Sequence, residues 1–191
     1  MDGYAPTATA PTDVGKATGI AMPPHIRRIR AGEGLRLRAL RLHALTEAPS
    51  AFSSTFAREQ AFPDELWHER AAGAAEGCER ATFIAECNGQ WAGLATGLRD
   101  PEEVPGSGNR LLVGMYVDRT ARRLGIAGAL IEGVVTWARA CGADYIVLWV
   151  TSGNDPAVAL YARHGFRLTG VTKPLPHTPT LADCEMIRDL R

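Results

Sequence analysis

VDRTARRLGIAGAL, residues 117–130, joins the end of an apolar strand to the start of a helix through a loop that carries three arginines. A helix N-terminus exposes unpaired N–H groups and partial positive charge. A turn that lets the backbone approach closely can therefore cradle a pyrophosphate. Arg119, Arg122 and Arg123 add charge nearby. Taken alone, the stretch reads equally as a solvated loop before an ordinary helix, so its spacing has to decide. Gly125 and Gly128 give G-x-x-G and not the dinucleotide fingerprint G-x-G-x-x-G, and no Gly-Lys-Ser/Thr of a P-loop occurs in the chain. The pattern that remains is R-x-x-G-x-A, on Arg122, Gly125 and Ala127.

The flanking sequence gives that loop its setting. Leu111 to Val117 is a strong strand, and Gly114 inside it predicts a bulge or a close backbone approach. A helix is expected from about Leu124, with Ile126, Leu130, Val134, Trp137 and Cys141 on one apolar stripe, ending at Cys141-Gly142. Tyr145 to Val150 is uncharged and β-branched, which suits a central strand. Asn154-Asp155-Pro156 opens a further helix that stops at His164-Gly165. Phe166–Val171 and Glu185–Arg188 read as two last strands, with the proline-bearing stretch Lys173–Leu181 as a loop between them.

Upstream, Thr82–Cys87 and Gln90–Gly97 flank Asn88-Gly89, the dipeptide of a type I′ hairpin. Before it lie a short strand at His25–Ile29, a leucine-rich helix at Glu33–Thr46, a Phe-bearing loop and a helix at Asp64–Ala71. Residues 1–24, rich in Ala, Thr, Pro and Gly, read as a flexible leader, and residues 25–191 as the folded domain. The order predicts a single α/β domain: a mixed central sheet of about six to seven strands flanked by about four helices.

Composition removes other classes. The chain has 191 residues, with 21 basic and 21 acidic side chains. With no net charge and no basic aromatic face, a nucleic-acid partner is not expected. No apolar run is long enough to span a bilayer, and the N-terminus lacks the form of a secretory signal, so a cytoplasmic protein is expected. Cys78, Cys87, Cys141 and Cys184 form no C-x-x-C pair, so four reduced thiols and no metal site are expected.

With the loop and its setting in hand, the chain resembles the GNAT superfamily of acyl-CoA-dependent N-acetyltransferases. That family's motif, Q/R-x-x-G-x-G/A, follows a strand ending in V-x-P; here the strand ends at Val117 and Arg119 replaces the proline. A second block, Asn154, Ala157, Leu160, Tyr161, Gly165 and Phe166, fits N-x-x-A-x-x-L-Y-x-x-x-G-F. The resemblance covers roughly residues 26–188 and is strongest over 110–170.

The resemblance implies acetyl-CoA as co-substrate and no metal. It implies that the backbone of Met115, Tyr116 and Val117 pairs with the pantetheine arm. The N–H groups of Arg122, Arg123, Leu124, Gly125, Ile126, Ala127 and Gly128 would hold the pyrophosphate, and Asn154 would bond the pantetheine. Tyr161 would be the general acid that protonates the departing thiolate. No carboxylate lies on Leu111–Val117, so the base candidates are Glu86, with Glu59 and His177 behind it. The expected reaction is direct attack of a primary amine on the thioester in a ternary complex. A small-molecule acceptor is expected, aminoglycosides and other amine antibiotics included; the acidic run Asp100, Glu102 and Glu103 weakly favours a cationic one. The alternatives are a peptide or protein acceptor, or a non-catalytic acyl-CoA-binding module. A homodimer stays open.

Overall fold

The structure, a computed structural model, describes residues 24–100, 108–175 and 178–191. The leader reading and the run Glu102-Glu103 fall outside those residues, Pro24 apart. One sheet holds seven strands in the order β1-β2-β3-β4-β5-β7-β6. These are β1 His25–Arg28, β2 Arg80–Cys87, β3 Gln90–Arg99, β4 Arg110–Val117, β5 Tyr145–Thr151, β6 Arg167–Leu175 and β7 Thr178–Asp189. The helices are α1 Gly34–Glu47, α2 Phe56–Gln60, α3 Asp64–Ala75, α4 Ile126–Ala140 and α5 Asp155–Arg163. The expected mixed α/β domain is what forms, with the short α2 added.

Period-two alternation splits the sheet's apolar side chains between two layers. In β2, Ala81 and Ala85 face the core built on α4, while Ile84 faces the core built on α1 and α3. In β5, Ile146, Leu148 and Val150 join the α4 core, to which α5 contributes Tyr161. The hairpin closes as Asn88-Gly89 requires, both residues taking left-handed φ values of 50° and 77°.

β4 positions everything that follows. Leu94 opposes Tyr116 and Thr96 opposes Val113, so β4 holds one residue more than β3 across that span. Gly114, at φ 64°, absorbs the extra residue as a bulge. On its other side β4 runs parallel to β5, with paired residues only from Arg110–Leu112 against Ile146–Leu148. Past Leu112 the two strands diverge, and the β5-facing edge of β4 carries no ladder as far as Val117.

Three expectations need correction. α4 begins at Ile126 and not at Leu124, because Gly125 takes a left-handed conformation (φ 76°) that a helix cannot contain. Lys173–Leu181 is largely strand. Pro174 is tolerated because β6 is the outer edge of the sheet, and Pro179 because β7 before Asp183 overhangs β5, so neither strand demands a full set of ladder donors there. The cysteines are not all reduced: Cys78 and Cys141 form a disulfide, with Cα atoms 5.5 Å apart, and Cys87 and Cys184 are free. Cys141 is the C-cap of α4 and packs, partly buried, against the α4 core. There it meets the turn before β2, which Trp137 also holds by donating from Nε1 to Gly77 O at 3.0 Å. The cytoplasmic expectation loses the support it drew from reduced thiols. No helix among the described residues is long and apolar enough to cross a membrane.

Candidate active site

A cavity of about 700 Å³ opens at the C-terminal end of β4. Val117, Arg122, Arg123, Gly125, Ile126, Ala127 and Gly128 line it, all of them expected cofactor residues. Arg123 and Gly125 both have left-handed φ values, 68° and 76°, on either side of Leu124. Such a turn directs successive N–H groups inward, as an anion-binding nest does. Nothing lies within 4 Å of where a Gly125 Cβ would stand, so the space above the turn is open. Leu124 itself is 60% exposed.

Arg122 is held in place by its neighbours. Its Nε donates to Val117 O at 3.0 Å and its Nη2 to Glu47 Oε2 at 3.1 Å. The same Glu47 oxygen accepts from the Tyr116 hydroxyl. Burial first, and then that carboxylate, push the Tyr116 phenol far above its usual range. The motif arginine is thus a brace between α1 and the loop.

Sequence reasoning missed the opposite wall. Pro156, Leu160, Arg163 and His164 complete the cavity from α5. Their spacing puts them on one face of a helix, a signal present in the sequence and overlooked in favour of Asn154 and Tyr161. His164 Nδ1 lies 2.9 Å from Glu132 Oε1, which also accepts from Arg188 Nη1 at 2.8 Å. A Cβ on Gly128 would stand 2.7 Å from His164 Nε2, so any side chain there would have to displace the His164 ring.

Asn154 caps α5, its Oδ1 accepting from Ala157 N at 3.3 Å. Its amide nitrogen has no partner among the described residues. Tyr161 is 7% exposed, packs edge-on to Phe166 with centroids 5.8 Å apart, and lines neither cavity. Burial pushes its phenol well above the usual value.

A second cavity, about 560 Å³, lies between the sheet and the α1–α3 layer. Leu111, Leu112, Val113 and Gly114 of β4 line it, so one strand walls both cavities. Arg41, Glu59, Trp67 and Arg70 line its helical side, and Trp149, Lys173 and Asp183 the β5–β7 side. Glu59 accepts from Arg41 Nη2 at 2.8 Å and from Nε at 3.0 Å. Burial pushes the Glu59 carboxyl up, but the Arg41 hydrogen bonds outweigh it and hold the group below the usual range. Asp183, 7% exposed, accepts from Thr151 Oγ1 at 3.2 Å. Lys173 Nζ lies 3.8 Å from the centre of the Trp149 ring.

Glu86 does not fit the base role. It sits at the hairpin end of β2 in an ion network, accepting from Arg27 Nε at 2.8 Å and Trp91 Nε1 at 3.1 Å. The Arg27 hydrogen bond, above all, holds its carboxyl down at about 2, too acidic to take a proton from an ammonium, and it lines neither cavity. His177 lies outside the described residues. No group of three or more His, Cys, Asp or Glu that could hold a metal occurs among the described residues.

The acetyltransferase (GNAT) family model matches residues 42–166. A GNAT-family acetyltransferase from Streptococcus pneumoniae has a similar structure, with a TM-score of 0.76 at 20% identity over 88% of this chain and 99% of that one. A Salmonella typhimurium protein solved with its cofactor acetyl-CoA has a TM-score of 0.71 at 18% identity, over 88% and 94% of the two chains. A ribosomal-protein-alanine N-acetyltransferase from Brucella melitensis has a TM-score of 0.71 at 20% identity, over 87% and 99%. No curated protein matches the sequence.

Proposed function

This chain belongs to the GNAT acetyltransferase family and is an acetyl-CoA-dependent N-acetyltransferase, and on that premise we propose that it acetylates the primary amine of a small molecule by direct attack in a ternary complex. The observation that carries the proposal is the shared strand: β4 lines an open-turned, arginine-rich cavity with Val117 and a separate, smaller one with Leu111–Gly114. Amine and thioester held on the two sides of one strand gain the proximity term without a covalent enzyme intermediate. A volume near 560 Å³ is that of a small-molecule pocket.

Acetyl-CoA, when bound, supplies the activated acyl group. The residues fit it. The Arg123–Gly125 turn offers N–H groups and open space for a pyrophosphate, together with the N-terminus of α4. The edge of β4 at Met115–Val117, which has no β5 partner and where Arg122 takes Val117 O, offers its remaining backbone groups to an extended arm, in the manner of an added strand. Asn154 keeps its amide N–H groups free to donate. A backbone N–H on that β4 edge is the proposed stabiliser of charge developing on the carbonyl oxygen.

Tyr161 is the proposed general acid. Burial keeps its phenol protonated across the working pH range. A phenol raised this far stabilises a departing thiolate chiefly through a donated hydrogen bond, since a thiol near ~8.5 is the stronger acid of the two. No dedicated base is assigned; an acceptor that reaches the site as the free amine requires none.

The test is thiol release from acetyl-CoA against a panel of amine antibiotics, polyamines, amino acids and short peptides, each hit checked for the mass of one acetyl group. Turnover of small amines is expected. Turnover confined to peptides would move the acceptor to the protein class, and saturable CoA binding without any turnover would leave a binding module.

A further inference from the structure

We propose that the acceptor cavity selects amines that also carry a carboxylate or a comparable compact anion, received by Arg80 and Arg70. The inference rests on reading the cavity between the sheet and α1–α3 as the acceptor site.

The charges that line this cavity do not balance. Arg41, Arg70, Arg80 and Lys173 face two carboxylates, Glu59 and Asp183. Glu59 is taken up by Arg41, and the nearest Arg70 nitrogen stands 3.8 Å away, beyond hydrogen-bond distance. The Arg80 guanidinium has no ion pair and no hydrogen bond among the described residues. Arg70 and Arg80 are near enough to repel each other, and Arg70 is partly desolvated. Like charges on a half-buried wall cost free energy unless an anion comes between them. Arg41 adds a third donor: its Nη1 is buried without a hydrogen-bond partner. That atom lies 3.9 Å from where a Gly114 Cβ would stand, so it reaches the β4 bulge.

Guanidinium groups present paired donors that match a carboxylate in two-point fashion. Three of them around one carboxylate, already committed, form an anion receptor. Across the cavity Asp183 is buried, it accepts a side-chain hydrogen bond from Thr151, and no cation lies within 4.0 Å of it among the described residues. It supplies a partner for an ammonium. An anion receptor facing a single acidic group suits a zwitterion. It penalises a polycation, whose further charges would meet arginines. Such an acceptor differs from the cationic one that the run Asp100, Glu102 and Glu103 weakly favours by sequence.

The experiment compares matched triplets as acceptors: phenylalanine, phenylalaninamide and phenethylamine, and the equivalent sets for methionine and glutamate. With acetyl-CoA saturating, kcat/KM for the acid is expected to exceed that for its amide by about tenfold or more, the scale of a charge-assisted hydrogen bond. Arg80→Ala should bring the acid-to-amide ratio close to one, Arg70→Gln should lower it, and Arg80→Lys should restore part of it. Amides or plain amines turned over as well as the acids, or a ratio unmoved by Arg80→Ala, overturn the inference while leaving acetyl transfer to small amines intact. Silence from every triplet would count against small-amine transfer itself. Calorimetric binding of each acid–amide pair to the protein in the presence of CoA then decides the inference: a preference for the acid that Arg80→Ala abolishes upholds it, and equal binding overturns it.

Discussion

Arg122 and Glu47 stand 75 positions apart in the chain and 3.1 Å apart in space. The carboxylate oxygen that joins them also accepts from Tyr116, so the end of α1, the edge of β4 and the loop after it share one junction. Glu47→Gln removes the charge while keeping the shape. It is expected to raise the KM for acetyl-CoA about three- to tenfold, because the loop loses a charge-assisted hydrogen bond of ~1–2 kcal/mol that is partly exposed. Titration of CoA binding by tryptophan fluorescence reads this directly. An unchanged affinity would mean that the loop holds its form without the strut.

Gly125→Glu should abolish acetyl-CoA binding, since it puts a negative charge into the nest and a side chain on a left-handed residue. Gly128→Val should weaken binding by a different route. His164 cannot swing freely out of its way, because its Nδ1 is engaged with Glu132. A calorimetric Kd within twofold of wild type for either variant would refute the assignment of the turn.

Tyr161→Phe should lower kcat by about a hundredfold, the scale of one acid–base group, with CoA affinity and melting temperature little altered. A fall in melting temperature with kcat preserved would instead mark Tyr161 as a packing residue, which its place in the α4 core would equally explain.

The disulfide closes a loop of 63 residues between the turn before β2 and the end of α4. Cys78→Ser is expected to cost ~2–4 kcal/mol of stability, and reductant should bring the wild type down to the level of the variant. If denaturant midpoints agree with and without reductant, the link contributes nothing.

Acid should weaken the first strand selectively. Arg27 bridges Glu33 at 2.7 Å and Glu86 at 2.8 Å. Both carboxyls are held below their usual values by the Arg27 hydrogen bonds, Glu86 down to about 2. A folded-state value below the unfolded one gives stability that is complete above the unfolded pKa and lost as pH falls toward the folded one. The urea midpoint should therefore hold steady down to about pH 5 and decline from there toward pH 2. Glu86→Gln should flatten that decline. A curve with the same slope in both proteins would place the acid sensitivity elsewhere.

What could be read from the sequence followed short-range physics. Asn88-Gly89 needs left-handed angles, Gly114 fits a bulge, and the Arg122–Gly128 spacing fixes a turn; each is a local statement, and each is found. The type of Gly125 was legible, but its effect on the helix start was not, since a glycine can lie inside or before a first turn. The disulfide escaped because Cys78 and Cys141 become neighbours only when the α3–β2 turn folds against α4. The cavity between the sheet and the α1–α3 layer escaped almost wholly. Arg41, Arg70, Arg80 and Asp183 come from four elements, and no spacing rule connects them. Glu86 misled because a lone acid in a hairpin looks available until Arg27 and Arg36 are seen around it.

The divergence of β4 from β5 puts an open rim in the middle of a sheet. Outer rims are usually protected by charge, proline or a covering helix, and β6, which ends this sheet, carries Lys173 and Pro174. At the inner rim, Met115–Val117, Arg122 Nε covers Val117 O; what shields the rest is whatever lies along it. An extended ligand there is also a plug against strand invasion by another chain. CoA should thus slow aggregation on warming by more than its binding energy alone raises the midpoint.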